Sequence, residues 1–294
     1  MTLDKHCFTE ICEECGTAFS LKIKGKLHEE QTPYQRIEIF DTETFGHLMA
    51  IDGFTMVSER DNFIYHEMMT HPALFTHKAP EEILIIGGGD CGSLREVLKH
   101  PGVRHVVQID IDERVTRLSE QYFPTLCESN NDPRAELKFI DGIQWVANTD
   151  SESVDVIIID STDPVGQAAR LFSTDFYSDC HRILKPGGIL IAQSESPLLH
   201  AELIKSMRTN MNDAGFTDLN TLHFPLCIYP TGWWSATMAG KGISFDTFRE
   251  DDAKGKTFET DYYTEEVHKG AMALPPFVEK IILSSFPRKR ESRK

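Results

Sequence analysis

From Glu82 onward, short apolar runs alternate with amphipathic stretches, and this rhythm restricts the fold more than any other feature of the chain. EILIIGGG reads as a buried strand, SLREVLKH as a helix, HVVQIDID as a strand and ERVTRLSEQYF as a helix. AELKFID, IQWVAN, VDVIIID, DFYSDCHRIL and GILIAQS continue the series, with a long helix through about Asn212. Near-continuous apolar strands separated by helices are the mark of βαβ units, so a mainly parallel sheet with helices on both faces is expected. After Gly215, FTDLNTLHF and WWSATMAGK are two further strand candidates that could close one edge.

The earlier part of the chain has a different period. SLKIKGKL, YQRIEIFDT, FGHLMAIDG and FTMVSE alternate with turn residues between them, which predicts a small antiparallel sheet. Residues 61–75 then carry helical apolar spacing, with Asp61 placed to cap the helix. The fold class expected is α/β, with an N-terminal extension over 1–19, a β-domain over 20–60 and a Rossmann-like domain over 61–283. The basic stretch 284–294 is expected to be a disordered tail.

The 294 residues carry a formal net charge of −16. That disfavours nucleic acid as a partner and suits cationic ligands. No apolar run approaches the roughly 18 residues of a membrane span, and no secretory signal is visible, so a cytoplasmic protein is expected. The seven cysteines are scattered, and reduced thiols are the expectation. Cys12-Glu-Glu-Cys15, with Cys7 nearby, could be half a zinc site, but no second pair follows at finger spacing and no metal site is expected.

In open parallel sheets, ligands sit at the carboxyl ends of the strands. The first strand ends in Gly87-Gly88-Gly89-Asp90-Cys91-Gly92, the second in Asp110 and Asp112, the third in Asp141-Gly142, the fourth in Asp160 and Asp163. Gly87, Gly89 and Gly92 fit the nucleotide-binding spacing G-x-G-x-x-G, and Asp110 follows roughly 20 residues on, able to bind a ribose diol. Asp90 argues against a dinucleotide, because a carboxylate in that loop would repel a pyrophosphate. A nucleoside with a cationic sulfonium fits better. Asp141 could accept from an exocyclic adenine amine or cap a helix, and the two readings are compatible. Asp90, Asp160 and Asp163 would repel one another without a cation, and a polyamine or a divalent metal could supply it.

GGGDCGSLREVLKH, the IDID strand end, DSTDPVG followed by LFSTDFY, ERDNFIYHEM and YPTGWWS resemble the spermidine synthase family of polyamine aminopropyltransferases, over residues 27–241. The resemblance implies transfer of the aminopropyl group of decarboxylated S-adenosylmethionine to putrescine, giving spermidine and 5′-methylthioadenosine, with no further cofactor. It also implies a methyltransferase-like Rossmann fold with an N-terminal β-domain, and assembly as a homodimer or homotetramer. Carried over by motif, Asp160 is the proton acceptor, assisted by Tyr65 and Tyr229. His66, Asp90, Asp163, Ser161 and Thr162 bind the amine. Gln35, Gly87, Gly89, Asp110, Asp141, Gly142 and Gln167 bind the nucleoside. A lone helical histidine is otherwise a structural residue, and the tyrosines could be core. Three positions depart from the family pattern: Gln167 replaces proline, Cys91 replaces glycine, and Asp110 stands where glutamate is commoner. Residues 166–174 are expected to form a lid. The alternatives are an acceptor such as agmatine, cadaverine or spermidine, a methyltransferase using intact S-adenosylmethionine, or a non-catalytic protein on the same fold.

Overall fold

The computed structural model describes residues 6–162 and 168–283. Two sheets meet in it. The first is an antiparallel meander of β1 (Cys7–Cys12), β2 (Thr17–Gln31), β3 (Arg36–Thr42), β4 (His47–Ile51) and β5 (Phe54–Ser58), paired in chain order. Residues 1–19, expected to be an extension, therefore include a strand: Phe8 pairs with Leu21 and Cys12 with Thr17. On β1 the inward positions are Phe8 and Glu10, both buried. A carboxylate on the inward face of a six-residue strand hides the apolar alternation by which strands are read.

The second sheet has the order β11-β12-β10-β9-β6-β7-β8. Its parallel part is β6 (Glu82–Gly87), β7 (His105–Asp110), β8 (Ala135–Phe139), β9 (Val154–Asp160) and β10 (Leu184–Gln193). The antiparallel β12 (Trp233–Gly240) and β11 (Asp218–Pro225) close one edge, as their position in the chain suggested. Ile83, Ile85 and Ile158 pack on one face, against α1 (Asn62–Thr76) and α2 (Gly92–Leu98). Leu84, Ile86 and Ile157 pack on the other, against α5 (Thr174–Ile183) and α6 (Ala201–Asp213). Burial on both faces is what makes these strands continuous apolar runs. α3 (Glu113–Tyr122) and α4 (Gly142–Asn148) follow β7 and β8; α7 (Glu250–Lys254), α8 (Glu265–Ala271) and α9 (Pro276–Ile282) complete the chain. Among the described residues no helix is long and apolar enough to cross a membrane.

The β3 and β4 strands of the antiparallel sheet are buried on both faces. Ile37, Ile39, Met49 and Ile51 meet Val115, Leu118 and Phe123 of the α3 region, while Phe8, Phe40 and Leu48 meet Ile228. Asp61 helps fix this junction. It does not cap α1 with its side chain. Instead its Oδ1 accepts from Ser58 Oγ at 2.6 Å and its Oδ2 from the Ile228 amide at 3.1 Å, tying the end of β5 to the loop before β12. The tail 284–294 and the proposed lid over 166–174, in part, lie outside the described residues.

Candidate active site

β6 lies between β9 and β7, where the strand order reverses, and a crevice opens at the strand ends there. The glycine loop fits this crevice for steric reasons. A Cβ on Gly87 (φ +81°) would lie 2.1 Å from the Asp160 carbonyl oxygen, and the Gly88 amide donates to that oxygen at 2.7 Å. Only a residue without a side chain lets β6 and β9 approach so closely at their ends. Cys91 sits at a left-handed position, φ +69°, where glycine would be unstrained. Its thiol is fully buried and accepts from Gln108 Nε2 at 3.5 Å.

Asp160, at the end of β9, receives two hydroxyl hydrogen bonds. Tyr65 Oη donates to Oδ1 at 2.7 Å and Ser93 Oγ to Oδ2 at 2.6 Å. Burial and the nearby charge of Asp90 raise its pKa above the ordinary carboxylate value. Asp90 goes the other way. Burial acts to raise it, but the His66 imidazole, 3.1 Å away, and the Gly92 amide outweigh that and hold it low. His66 is raised in turn, since the Asp90 carboxylate outweighs the opposing effect of burial. His66 Nε2 and Asp90 Oδ2 are thus paired at 3.1 Å, while burial and the Asp160 carboxylate push Tyr65 far up and keep it a hydroxyl donor.

At the end of β7, Asp110 Oδ1 accepts from the Asp112 amide at 2.8 Å. Burial, with added repulsion from Asp112 and Asp160, pushes Asp110 up to about 6. Asp112 begins α3 and accepts from Thr32 Oγ1 at 2.7 Å and Gln35 Nε2 at 3.1 Å, so the antiparallel sheet is tied to the β7 side of the crevice. Asp141 caps α4, accepting from the Ile143 and Gln144 amides at 2.9 and 3.2 Å. Gly142 follows it, in contact with Ile86.

These groups surround one cavity of about 460 Å³. Gln35, Tyr65, Gly87, Gly89, Asp90, Asp110, Asp141, Gly142, Asp160, Ser161, Thr162 and Tyr229 all line it. Tyr229 is held there by donation to the Met56 carbonyl at 2.8 Å. His66 is not on the cavity wall. It stands behind Asp90, its ring against Gly92, where a Cβ would collide with it. Asp163 and Gln167 lie outside the described residues.

A smaller lobe of about 30 Å³ shares the walls formed by Tyr65, Ser161, Thr162 and Tyr229 and adds Glu10, Gln193 and Trp234. Glu10 and Gln193 were not anticipated. Gln193 ends β10 and could have been found by applying the strand-end rule to the fifth strand as well as the first four. Glu10 gives no such signal, because it comes from the other sheet. Its Oε2 accepts from the Thr55 amide at 2.8 Å and from the Thr55 hydroxyl. Ser93 was legible only as the start of a helix. The arrangement as a whole is an elongated crevice, with a nucleoside-sized chamber rich in strand-end carboxylates and a narrow acidic lobe. Tyr65 lines both, and the Asp160 carboxylate to which it donates lines the larger.

Residues 62–249 match the spermine/spermidine synthase domain, and residues 7–59 match the spermidine synthase tetramerisation domain. The polyamine aminopropyltransferase of Methylococcus capsulatus is 64% identical over 270 residues, covering 92% of this chain and 94% of that protein. That of Nitrosococcus oceani is 59% identical over 286 residues, 97% of this chain and 100% of that protein. Among solved structures, a spermidine synthase in complex with the transition state analogue AdoDATO is 36% identical, with a TM-score of 0.91 over 95% of this chain and 96% of that one. The spermidine synthase from Thermotoga maritima is also 36% identical, with a TM-score of 0.89 over 95% of each chain.

Proposed function

The chain belongs to the spermine/spermidine synthase family of polyamine aminopropyltransferases, and from that premise we propose that it transfers the aminopropyl group of decarboxylated S-adenosylmethionine to putrescine. The products are spermidine and 5′-methylthioadenosine. Assembly as a homodimer or homotetramer through the antiparallel sheet is part of the same reading, in keeping with the tetramerisation domain over residues 7–59.

In this mechanism the donor nucleoside lies in the larger chamber. Asp110 and Gln35 take its ribose, Asp141 and Gly142 its adenine, and Asp90 its aminopropyl ammonium. The diamine enters the narrow lobe. One amine loses a proton to Asp160, and its freed lone pair attacks the carbon beside the sulfonium. The carbon–sulfur bond breaks, and its electrons stay on sulfur as a neutral thioether. Tyr65 holds Asp160 in position, and Tyr229 adds a ring face to the amine path. Asp163, outside the described residues, keeps its proposed role in amine binding. Because charge disappears at sulfur as the bond breaks, a crevice with little water favours the step. Alignment of nitrogen, carbon and sulfur supplies much of the rate.

The observation that carries the reading is Asp160: a carboxylate of raised pKa on the wall of the larger chamber, held by two hydroxyls, one of them from Tyr65, which lines both chambers. The Glu10 carboxylate among the lining residues of the narrow lobe supports a cationic amine as acceptor. The test is to supply decarboxylated donor with a panel of amines and measure methylthioadenosine release. Putrescine should be preferred over agmatine, cadaverine and spermidine, and Asp160→Asn should lower kcat by roughly 10²–10⁴-fold with donor binding retained. Release with intact S-adenosylmethionine and none with the decarboxylated donor would refute the reading.

A further inference from the structure

Cys12-Glu-Glu-Cys15 plays no part in the reaction above. It forms the turn between β1 and β2, and folding brings to it a residue 185 positions away: Cys15 Sγ lies 3.2 Å from His200 Nε2. The other ring nitrogen of His200, Nδ1, lies 3.3 Å from Glu195 Oε2. Cys12 Sγ accepts from the Cys15 amide at 3.3 Å, which sets the two thiols side by side. Both cysteines are half-buried and within reach of small reagents.

This thiol–imidazole–carboxylate series continues into the amine lobe. Glu195 Oε1 accepts from Gln193 Nε2 at 3.3 Å, and the Glu195 amide donates to Gln193 Oε1 at 3.1 Å, so both ends of the Gln193 amide are held by Glu195. Glu195 is 2% exposed and has φ +64°, a backbone conformation that a glutamate adopts only when its surroundings impose it. On the other side, Cys12 is two residues from Glu10 along β1. The cysteine pair therefore touches both walls of the lobe, Glu10 through the strand and Gln193 through His200 and Glu195.

We propose that Cys12 and Cys15 form a thiol–disulfide switch, driven by exchange with a low-molecular-weight disulfide, that sets the affinity of the amine lobe. The proposal rests on the assignment of that lobe to the amine. With Cys15 Sγ 3.2 Å away, Nε2 of His200 is placed to accept the Cys15 proton. Burial and the adjacent Cys12 push the Cys15 thiol up to about 12, so at rest it stays protonated and needs this acceptor to react. After proton transfer the Cys15 thiolate attacks one sulfur of the reagent, forming a mixed disulfide and expelling one thiolate. Cys12, losing its proton to solvent, then attacks the Cys15 sulfur and expels the second. Two protein thiols become one disulfide, and one external disulfide becomes two thiols. In the oxidised form Cys15 has no proton to give His200. The imidazole loses its contact with the turn, and its ring can move against the Glu195 carboxylate that holds the Gln193 amide.

The assembled full-length enzyme, treated with glutathione disulfide, tests this. Peptide mass spectrometry should find a Cys12–Cys15 disulfide, and KM for putrescine should rise about threefold to tenfold, the scale of one lost hydrogen bond, with KM for the decarboxylated donor unchanged. Dithiothreitol should reverse both effects. Cys12→Ser should keep its basal activity and not respond to the reagent, and His200→Asn should slow alkylation of Cys15 by iodoacetamide. Failure of the disulfide to form, a disulfide that leaves KM for putrescine unchanged, or an equal response from Cys12→Ser would each overturn the proposal. So would a stoichiometric zinc ion protecting both thiols in the untreated protein. The disulfide is scored on the protein alone and putrescine affinity also by calorimetry, so an enzyme that transfers to no amine is told apart from one that lacks the switch.

Discussion

At the scale of single residues, Asp160 shows how a base can be raised and restrained together. Burial and Asp90 raise its pKa, while the Tyr65 and Ser93 hydroxyls favour its charged form. Removing one donor should therefore raise it further. Ser93→Ala should move the acid limb of the pH dependence of kcat/KM upward by about half to one pH unit. A pH–rate profile checks this, and an acid limb that stays in place would remove Ser93 from the base's environment. The carboxylates of the site were legible because each follows an apolar strand directly. Ser93 was not, because what matters about it is a contact 67 positions along the chain. His66 was read as an amine ligand from its motif, whereas the structure sets it behind Asp90 as a counter-ion.

At the scale of elements, the ends of strands carry the chemistry and also its energetic cost. Asp110 closes β7 with a pKa of about 6, above the ordinary carboxylate value it has in an unfolded chain. The folded state then holds the proton more tightly, so stability falls as pH rises from about 4 to 6 and stays reduced above that. Asp110→Asn should stabilise the ligand-free protein by up to about 3 kcal/mol at pH 8 and by almost nothing below pH 4, while weakening nucleoside binding. Thermal unfolding at the two pH values measures the first effect, and methylthioadenosine titration measures the second. The parallel strands were readable because burial on both faces makes them uniformly apolar. β1 was not, because half of its inward face is a glutamate. Asp61 has the composition of a helix cap, but its carboxylate is used to join β5 to the loop at Ile228.

For the whole molecule, the division into an antiparallel and a parallel sheet could be read from the change of period near Glu82. That the two sheets build one crevice was legible only through the resemblance that placed Gln35 and Tyr229 in the site, and Glu10 reaches it by packing alone. Glu10→Gln tests this division of labour. It keeps the shape and an acceptor for the Thr55 donors, and removes a charge facing the lobe. KM for putrescine should rise roughly tenfold, by loss of a charge-assisted contact, with unfolding temperature and donor KM unchanged. Equal KM values would exclude β1 from recognition of the amine.

β1 also lies within the segment that matches a tetramerisation domain. On the proposed reading, recognition of the acceptor through Glu10 draws on a strand inside the segment that matches a tetramerisation domain, so selection on either bears on both. A lineage that altered how its subunits meet would drift in which amine it accepts. A protein engineer who trimmed the N-terminus to obtain a monomer would change the enzyme's diet along with its size.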